Sequence, residues 1–506
     1  MKINLGKKEI IHFIGIGGIG MSGLALIMKQ LGFKIQGSDI SVNKNIERLK
    51  KSNIKIFTKH KISNLNKANI VVISSAIKNS NIELNAAKKK DLPIYKRGDM
   101  LAHMTSLKKN IVVAGSHGKT TTTSLIANVF SKAKLDPTII NGGVINSINN
   151  SAKLGKSEWC VLESDESDGS FIKVPFTYSI ITNIDREHMD FYKSEDNLKK
   201  HFEKFISNVP SFGKAFLCVD DVNNRSLLKK NLVKNYFTYG VNKDSNFRIT
   251  NIKYKLSRSI FDLIIKIPNK KKISVNNIEI PLIGFHNISN AAATFALTSH
   301  IGISTSLIKK SLKDFQGVER RFNKVFEFNG VTFFDDYAHH PTEIKSILEG
   351  VHNVNSKRKI ISVFEPHRYS RVMSLKNEFS KCFSKSKLVI MCPLYAAGEK
   401  KNFKFNLIKF AELIMKNSNT QVIIVKNEIE LSKYFKKNFW CTTAGVCSDE
   451  PLRCAIDALG IDRVMFSVDY PFEKSEHAGT WIDNANLSVT EKSMVCYENA
   501  KSLLKL

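Results

Sequence analysis

A strand-like run, Ile111 to Ala114, passes directly into Gly115-Ser116-His117-Gly118-Lys119-Thr120-Thr121 and then into a helical stretch through Phe130. Strand, glycine loop and helix in that order specify a parallel α/β layer with a ligand loop at a strand's carboxyl end. Glycines let backbone N–H groups approach phosphate oxygens, and the helix N-terminus adds positive dipole. Lys119 can bridge terminal phosphates and Thr120 can reach a magnesium ion. The loop lacks the first glycine spacing of the common P-loop, but its context indicates ATP or GTP.

An earlier copy of the same grammar opens the chain. The strand Glu9 to Gly15 leads into Gly15-Ile16-Gly17-Gly18-Ile19-Gly20 and an apolar helix to Leu31. A second strand, Phe33 to Gly37, ends at Ser38-Asp39, about twenty residues beyond the glycines, where a Rossmann-type unit places its ribose-binding acid. The strand Ile70 to Ser74 precedes Ser75, and a polar stretch from Thr105 to Asn110 marks a boundary near residue 107. The apolar stretch Ile10 to Met28 carries His12, Ser22 and five glycines, so it reads as a nucleotide loop and not as a membrane span or signal.

Two strands after the phosphate loop end in acid-rich clusters. Trp159 to Leu162 runs into Glu163-Ser164-Asp165-Glu166-Ser167-Asp168, and Tyr178 to Thr182 into Asn183-Ile184-Asp185-Arg186-Glu187-His188. Ligand groups gather beyond the carboxyl ends of strands in an open parallel sheet, so both clusters belong beside the phosphate loop. Magnesium prefers carboxylate oxygen, which favours Glu163, with one or two ligands expected among these acids. A third α/β unit follows Arg320-Arg321, with strands at Ile360 to Phe364 and Leu388 to Met391. Arg368 and Arg371, just beyond the first of these, are placed to grip a carboxylate or phosphate.

The formal charge of +31 on 506 residues raises nucleic acid as a partner. The lysines, however, form short scattered runs without interleaved aromatics, which describes a solvated surface. The charge is also uneven: residues 441–506 carry a net −4, against +35 for the rest, and hold four of the eight cysteines. A break this sharp marks a segment of different origin. With no signal peptide and no paired cysteine spacing, the chain reads as cytoplasmic with reduced thiols, without membrane insertion; no oligomeric state is assigned.

Together, His12 to Gly23, Gly115 to Thr123, Asn141-Gly142-Gly143, Glu163 to Asp168, Gly284 to Asn290, Asp335 to Glu343 and Pro366-His367-Arg368 resemble the Mur ligases of peptidoglycan synthesis over about residues 8–430. The resemblance implies an α/β, three-domain architecture. A Rossmann-like UDP-sugar domain would span 1–107, a central P-loop-type ATPase domain 108–320, and a Rossmann-like domain that brings the amino acid 321–433. The implied reaction is ATP- and Mg2+-dependent joining of L-alanine to UDP-N-acetylmuramate through an acyl phosphate. A ligase attaching murein tripeptide to the same sugar, and a nucleotide-binding protein inactivated by its ending, are the alternatives.

Residue by residue, the resemblance implies that Gly115, Ser116, His117, Gly118, Lys119, Thr120, Thr121, His286, Asn287 and Asn290 hold ATP. Arg321 and Asp336 would reach it from the third domain. Thr120, Glu163 and His188 would hold magnesium, and Lys119, Glu163, His188, Arg321 and Asp336 would carry the catalysis. Gly15, Gly17, Gly18, Gly20, Ser38, Asp39 and Ser75 lie in the UDP-sugar region. Tyr337, His339, Arg368 and Arg371 fall where the alanyl end of the product is held.

The resemblance stops near residue 434. The family's last strand, glycine turn and helix are missing, and residues 434–506 instead resemble the carboxyl end of an amidohydrolase-superfamily decarboxylase, with Asp469 at the position of a metal aspartate. The last strand or two of a barrel cannot make a barrel, so Asp469 is expected to be non-functional. The apolar run Arg463 to Val468 offers a replacement strand for the truncated third domain.

Overall fold

The computed structural model describes residues 8–504 apart from 231–233, 256–257, 329–330, 401, 403, 428–429, 432–439, 444–446 and 469–474. It comprises two compact units, residues 1–359 and 360–506.

In the first unit, β1 (Ile10–Ile14), β2 (Lys34–Ser38), β3 (Lys55–Phe57), β4 (Ile70–Ile73) and β5 (Ile94–Lys96) form an all-parallel sheet in the order β3-β2-β1-β4-β5. The order reverses between β1 and β4, so their carboxyl ends open a crevice, with the glycine turn on one side and Ser74-Ser75 on the other. Helices Lys44–Lys51 and Ile82–Lys89 start on Asn43 and Asn81, each accepting two backbone N–H bonds as an N-cap.

The second sheet has ten strands: β6 (Lys109–Ala114), β7 (Thr138–Ile145), β8 (Asn150–Lys153), β9 (Trp159–Glu163), β10 (Tyr178–Ile181), β11 (Lys214–Cys218), β12 (Tyr236–Gly240), β13 (Phe247–Lys255), β14 (Arg258–Ile265) and β15 (Ile273–Ile280). Their order is β15-β14-β13-β12-β11-β10-β6-β9-β7-β8. Helix Lys119–Lys132 continues from the phosphate loop and packs with helix Phe285–His300 on Val113, Val161 and Phe216, which are fully buried. The opposite face of this sheet shares one apolar core with the first: Ile11, Phe13 and Leu24 are continuous with Val112, Leu162 and Phe202. A hairpin, β16 (Asn323–Phe328) with β17 (Val331–Asp335), then leads to helix Pro341–Val354.

The second unit contains a three-stranded parallel sheet of β18 (Ile361–Phe364), β19 (Leu388–Met391) and β20 (Gln421–Ile424). The replacement strand expected at Arg463 to Val468 does not join it. Only β22 (Val464–Met465) is a strand there, and it pairs with β21 (Cys441–Thr442) in a separate two-stranded sheet. Leu452, Ile456, Ile482 and Val495 pack around Val464, and Asn499 Nδ2 donates to the Ile461 and Val464 carbonyls, so this residue is held by its own small core. Asp469 lies outside the described residues.

A polar knot is buried in the first sheet. Glu83, fully buried, accepts hydrogen bonds from Ser38 Oγ, Asn64 Nδ2 (2.6 Å) and Lys61 N (3.2 Å), and meets His60 Nδ1 at 3.0 Å. Burial opposes its charge, but His12, Ser38 and Asn64 outweigh it and hold the carboxyl at about 2, below its ordinary 4.5. A depressed carboxyl contributes stability that is present above about pH 4.5 and is lost as pH falls towards 2. Glu83→Gln is therefore expected to lower unfolding free energy near neutral pH by about 2–4 kcal/mol and to flatten its loss on acidification. Chemical denaturation at several pH values measures both; an unchanged profile would contradict the role given to the knot.

Candidate active site

Strand β6 delivers the phosphate loop between β9 and β10. Ser164 N donates to Val113 O (2.9 Å) on one side, and Thr182 N to Ala114 O (3.1 Å) on the other. The loop is then tied to the β10 end: Ser116 N donates to Asn183 O (2.9 Å), His117 N to Asn183 Oδ1 (2.8 Å), and Thr182 Oγ1 to His117 O (2.6 Å). Gly115 and Gly118 have φ of +124° and +84°. A Cβ at Gly118 would also lie 2.6 Å from Asn290 Oδ1, so glycine is required twice over.

Both acid clusters do flank the loop, as the sequence predicted. Lys119 Nζ donates to Gly115 O (2.5 Å) and Ser116 O (3.0 Å) and pairs with Glu166 Oε2 at 2.8 Å. Burial disfavours the lysine charge, but Glu166, then Glu163 and Asp165, outweigh it and keep Lys119 cationic. Burial, reinforced by Asp165 and Glu187, pushes the Glu166 carboxyl up. Thr120 and Thr121 are buried in the first turn of the helix.

Of the residues expected to hold magnesium, His188 stands beside two carboxylates of the first acid cluster. His188 Nε2 lies 3.6 Å from Glu166 Oε1, and Asp165, Glu166 and His188 bring their ligating atoms within 4.8 Å of one another. Glu163 Oε2 instead accepts the Gly142 N–H at 2.7 Å. Two carboxylates and one imidazole so placed suit a hard divalent cation.

A cavity of about 470 Å³ opens from the loop. His117, Gly118, Thr121, His286, Asn287 and Asn290 line it from the loop and from helix Phe285–His300, with Arg321, Asp336 and Glu343 closing it. Leu282, Phe285, Phe315 and Val318 give it apolar walls for a flat ring. His286 Nδ1 is buried without a hydrogen-bond partner among the described residues. Asp336 accepts from Phe322 N (2.7 Å) and Ala338 N (2.6 Å), and burial raises its carboxyl to about 6.

His340, Thr342 and Glu343, to which sequence reasoning assigned no role, tie the phosphate loop to the start of helix Pro341–Val354. His117 Nε2 pairs with Asp185 Oδ2 at 3.2 Å and its Nδ1 with Glu343 Oε1 at 3.4 Å, while its ring lies 4.5 Å from that of His340. Thr342 Oγ1 donates to Asp185 Oδ2 (2.7 Å) and Arg321 Nη1 meets Glu343 Oε1 at 3.7 Å. His340 caps helix Pro341–Val354 in a capping box with Glu343, a pattern of N-cap, proline and acid that is readable in sequence.

At the crevice of the first sheet, Ser38 O accepts from Gly15 N (2.8 Å) and Ile16 N (3.0 Å), and Asp39 Oδ2 accepts from Gly17 N (2.8 Å). Gly18 and Gly20 begin helix Ile19–Gln30, and Ser75 stands exposed in the turn after β4. Tyr337 and His339 lie with ring centroids 4.8 Å apart, and Arg321 sits over Tyr337. In the second unit, Arg368 opens helix Tyr369–Ser374 with φ +67°, and its buried Nε has no hydrogen-bond partner among the described residues. Arg371 Nη1 lies 3.3 Å from His367 Nδ1.

Burial lowers His286 and His340 to about 4, from an ordinary 6.5. The unfolded chain takes up these protons first, so their stability is complete above about pH 6.5 and is lost between 6.5 and 4. Each histidine should cost about 1 kcal/mol by about pH 5.5. His286→Asn should flatten the acid slope of unfolding free energy, and an unaltered slope would contradict the assignment.

Residues 10–109 match the model of the Mur ligase family catalytic domain, 113–298 the Mur ligase middle domain, and 320–433 the Mur ligase glutamate ligase domain. Residues 431–506 match an amidohydrolase model, as the tail's sequence suggested. The UDP-N-acetylmuramate–L-alanine ligase of Pelagibacter ubique is 60% identical over 440 residues, covering 87% of this chain and 95% of that protein. Its counterpart in Agrobacterium fabrum is 44% identical over 391 residues, 77% and 83% of the two chains. Among solved structures, the UDP-N-acetylmuramate-alanine ligase MurC of Thermotoga maritima superposes with a TM-score of 0.70 at 28% identity, covering 84% of this chain and 92% of that one. With three matched domains in order and relatives this similar over most of their length, the chain belongs to the Mur ligase family.

Proposed function

We propose that this chain joins L-alanine to UDP-N-acetylmuramate at the expense of ATP. The observation that carries this reading is the buried Lys119–Glu166 pair in a phosphate loop whose His117, Gly118 and Thr121 line a cavity with the size and walls for a nucleotide, in a chain 60% identical to an alanine ligase. A carboxylate is a poor acyl donor, so the γ-phosphate is transferred to the lactyl carboxylate and the alanine amine attacks the acyl phosphate. Phosphoryl transfer is catalysed mainly by positioning and charge neutralisation. Lys119 and Arg321 supply cations, and the loop's N–H groups cradle the phosphates. His286, Asn287 and Asn290 receive the adenine side, with Asp336 aligning the segment that carries Arg321.

Thr120, Glu163 and His188 are the residues we assign to Mg2+, with Asp165 and Glu166 close by. When bound, the ion neutralises charge on the transferring phosphate. Gly15, Gly17, Gly18, Gly20, Ser38, Asp39 and Ser75 are assigned to the UDP-sugar, and Tyr337, His339, Arg368 and Arg371 to the alanyl end. We read 1–107 as the UDP-sugar domain, 108–320 as the ATPase domain, 321–433 as the amino-acid domain and 434–506 as a foreign tail. A cytoplasmic location accords with this chemistry, and among the described residues no helix is long and apolar enough to cross a membrane.

Phosphate release from ATP should require both UDP-N-acetylmuramate and L-alanine. Lys119→Ala should reduce it by at least about 100-fold while leaving UDP-sugar binding within twofold. Turnover that prefers murein tripeptide to alanine, or equal loss of sugar binding in the variant, would overturn this reading.

A further inference from the structure

Between the two nucleotide sites stands one cation that the reading above leaves unused. Arg97 opens helix Arg97–Thr105 directly after β5. Its guanidinium lies across the start of the glycine-turn helix: a Cβ on Gly20 would come within 3.2 Å of Nη1 and 3.3 Å of Cδ. On its other side, Nη2 is 3.6 Å from Asp165 Oδ2, in the acid cluster beside Lys119.

The pairing is loose and single, although guanidinium and carboxylate can form two parallel bonds. Asp165 is already engaged by Ser167, whose N–H donates to Oδ1 (3.0 Å) and whose hydroxyl donates to Oδ2 (2.9 Å). Arg97 nevertheless keeps only 14% of its side chain exposed. A largely buried guanidinium with five donors is therefore held near a weak partner, within reach of a better one.

Its position is built. At the next residue a Cβ would lie 2.1 Å from Ser170 Oγ, so Gly98 lets the helix press onto the turn that follows the acid cluster. Lys173 pins the same contact through Asp99 at 2.6 Å. The first and second sheets share a core here, which fixes Arg97 relative to both loops.

We propose that Arg97 binds an anionic oxygen of the sugar nucleotide, exchanging its contact with Asp165 for the substrate. This inference rests on the ligase reading. A glycine turn at a helix N-terminus is a site for the diphosphate, and in that reaction the sugar's carboxylate must approach the ATP phosphates near Lys119, so a cation between them meets one or the other. Both groups present the oxygen geometry that arginine recognises.

The test compares wild type, Arg97→Met, which keeps the packing over Gly20, and Arg97→Lys, which keeps the charge. Calorimetry would use UDP-N-acetylmuramate, UDP-N-acetylglucosamine, which has the diphosphate without the carboxylate, and ATP. Arg97→Met should weaken UDP-N-acetylmuramate binding on the order of 10- to 100-fold, with ATP affinity and melting temperature preserved and part of the loss recovered in Arg97→Lys. An equal loss for both sugars identifies the diphosphate as the partner; a loss confined to UDP-N-acetylmuramate identifies the carboxylate. Unchanged sugar binding in Arg97→Met, or joint loss of ATP binding and thermal stability, overturns the role of Arg97 while leaving the ligase reading intact. Wild-type protein that bound neither sugar nucleotide would overturn both.

Discussion

The placement of β6 between β9 and β10 is the constraint on which the active site depends. β9 ends at Glu163 opposite Val113 and β10 at Ile181 opposite Ala114, so both neighbours end just where the phosphate loop begins, and the loop is flanked by carboxylates on one side and by Asn183 and Asp185 on the other. A loop of backbone donors would be held open by water; here Asn183 and Thr182 fix it through side-chain and backbone bonds. Lys119 is thereby buried with an acid partner, which keeps it charged and stationary until phosphate arrives. That preorganisation matters because phosphoryl transfer offers the protein little covalent work and rewards fixed charge.

A second dependence is the shared core of the first unit. The crevice at β1 and β4 and the loop after β6 are on different sheets, yet Phe13, Leu24, Val112 and Leu162 belong to one apolar cluster. Close packing makes such a core resistant to sliding. The two loops therefore keep a fixed separation, a requirement when one substrate must deliver its carboxylate to the terminal phosphate of another.

Much of this was legible in the residues. Glycine residues after strands announced the turns that follow β1 and β6, and the acid clusters were correctly expected beside the second. What sequence could not do was rank the acids. Glu163 was favoured as a magnesium ligand and keeps that place in the proposal, but no local pattern marked Glu166 as the buried partner of Lys119. Arg97 escaped because its meaning is its contact with Gly20 and Asp165, which are 77 and 68 positions away in the chain. The capping box at His340 and Glu343 could have been read. The run Arg463 to Val468 misled because apolar character alone does not choose a pairing partner, and its neighbours in the tail supplied a core of their own.

The central claim is that a lactyl carboxylate is activated by phosphorylation at the loop that carries Lys119. The most direct measurement supplies UDP-N-acetylmuramate labelled with heavy oxygen in that carboxylate, together with ATP, Mg2+ and L-alanine, and analyses the released phosphate by mass spectrometry. An acyl phosphate transfers one labelled oxygen to each phosphate released in step with product formation. Product formed with unlabelled phosphate would contradict the account.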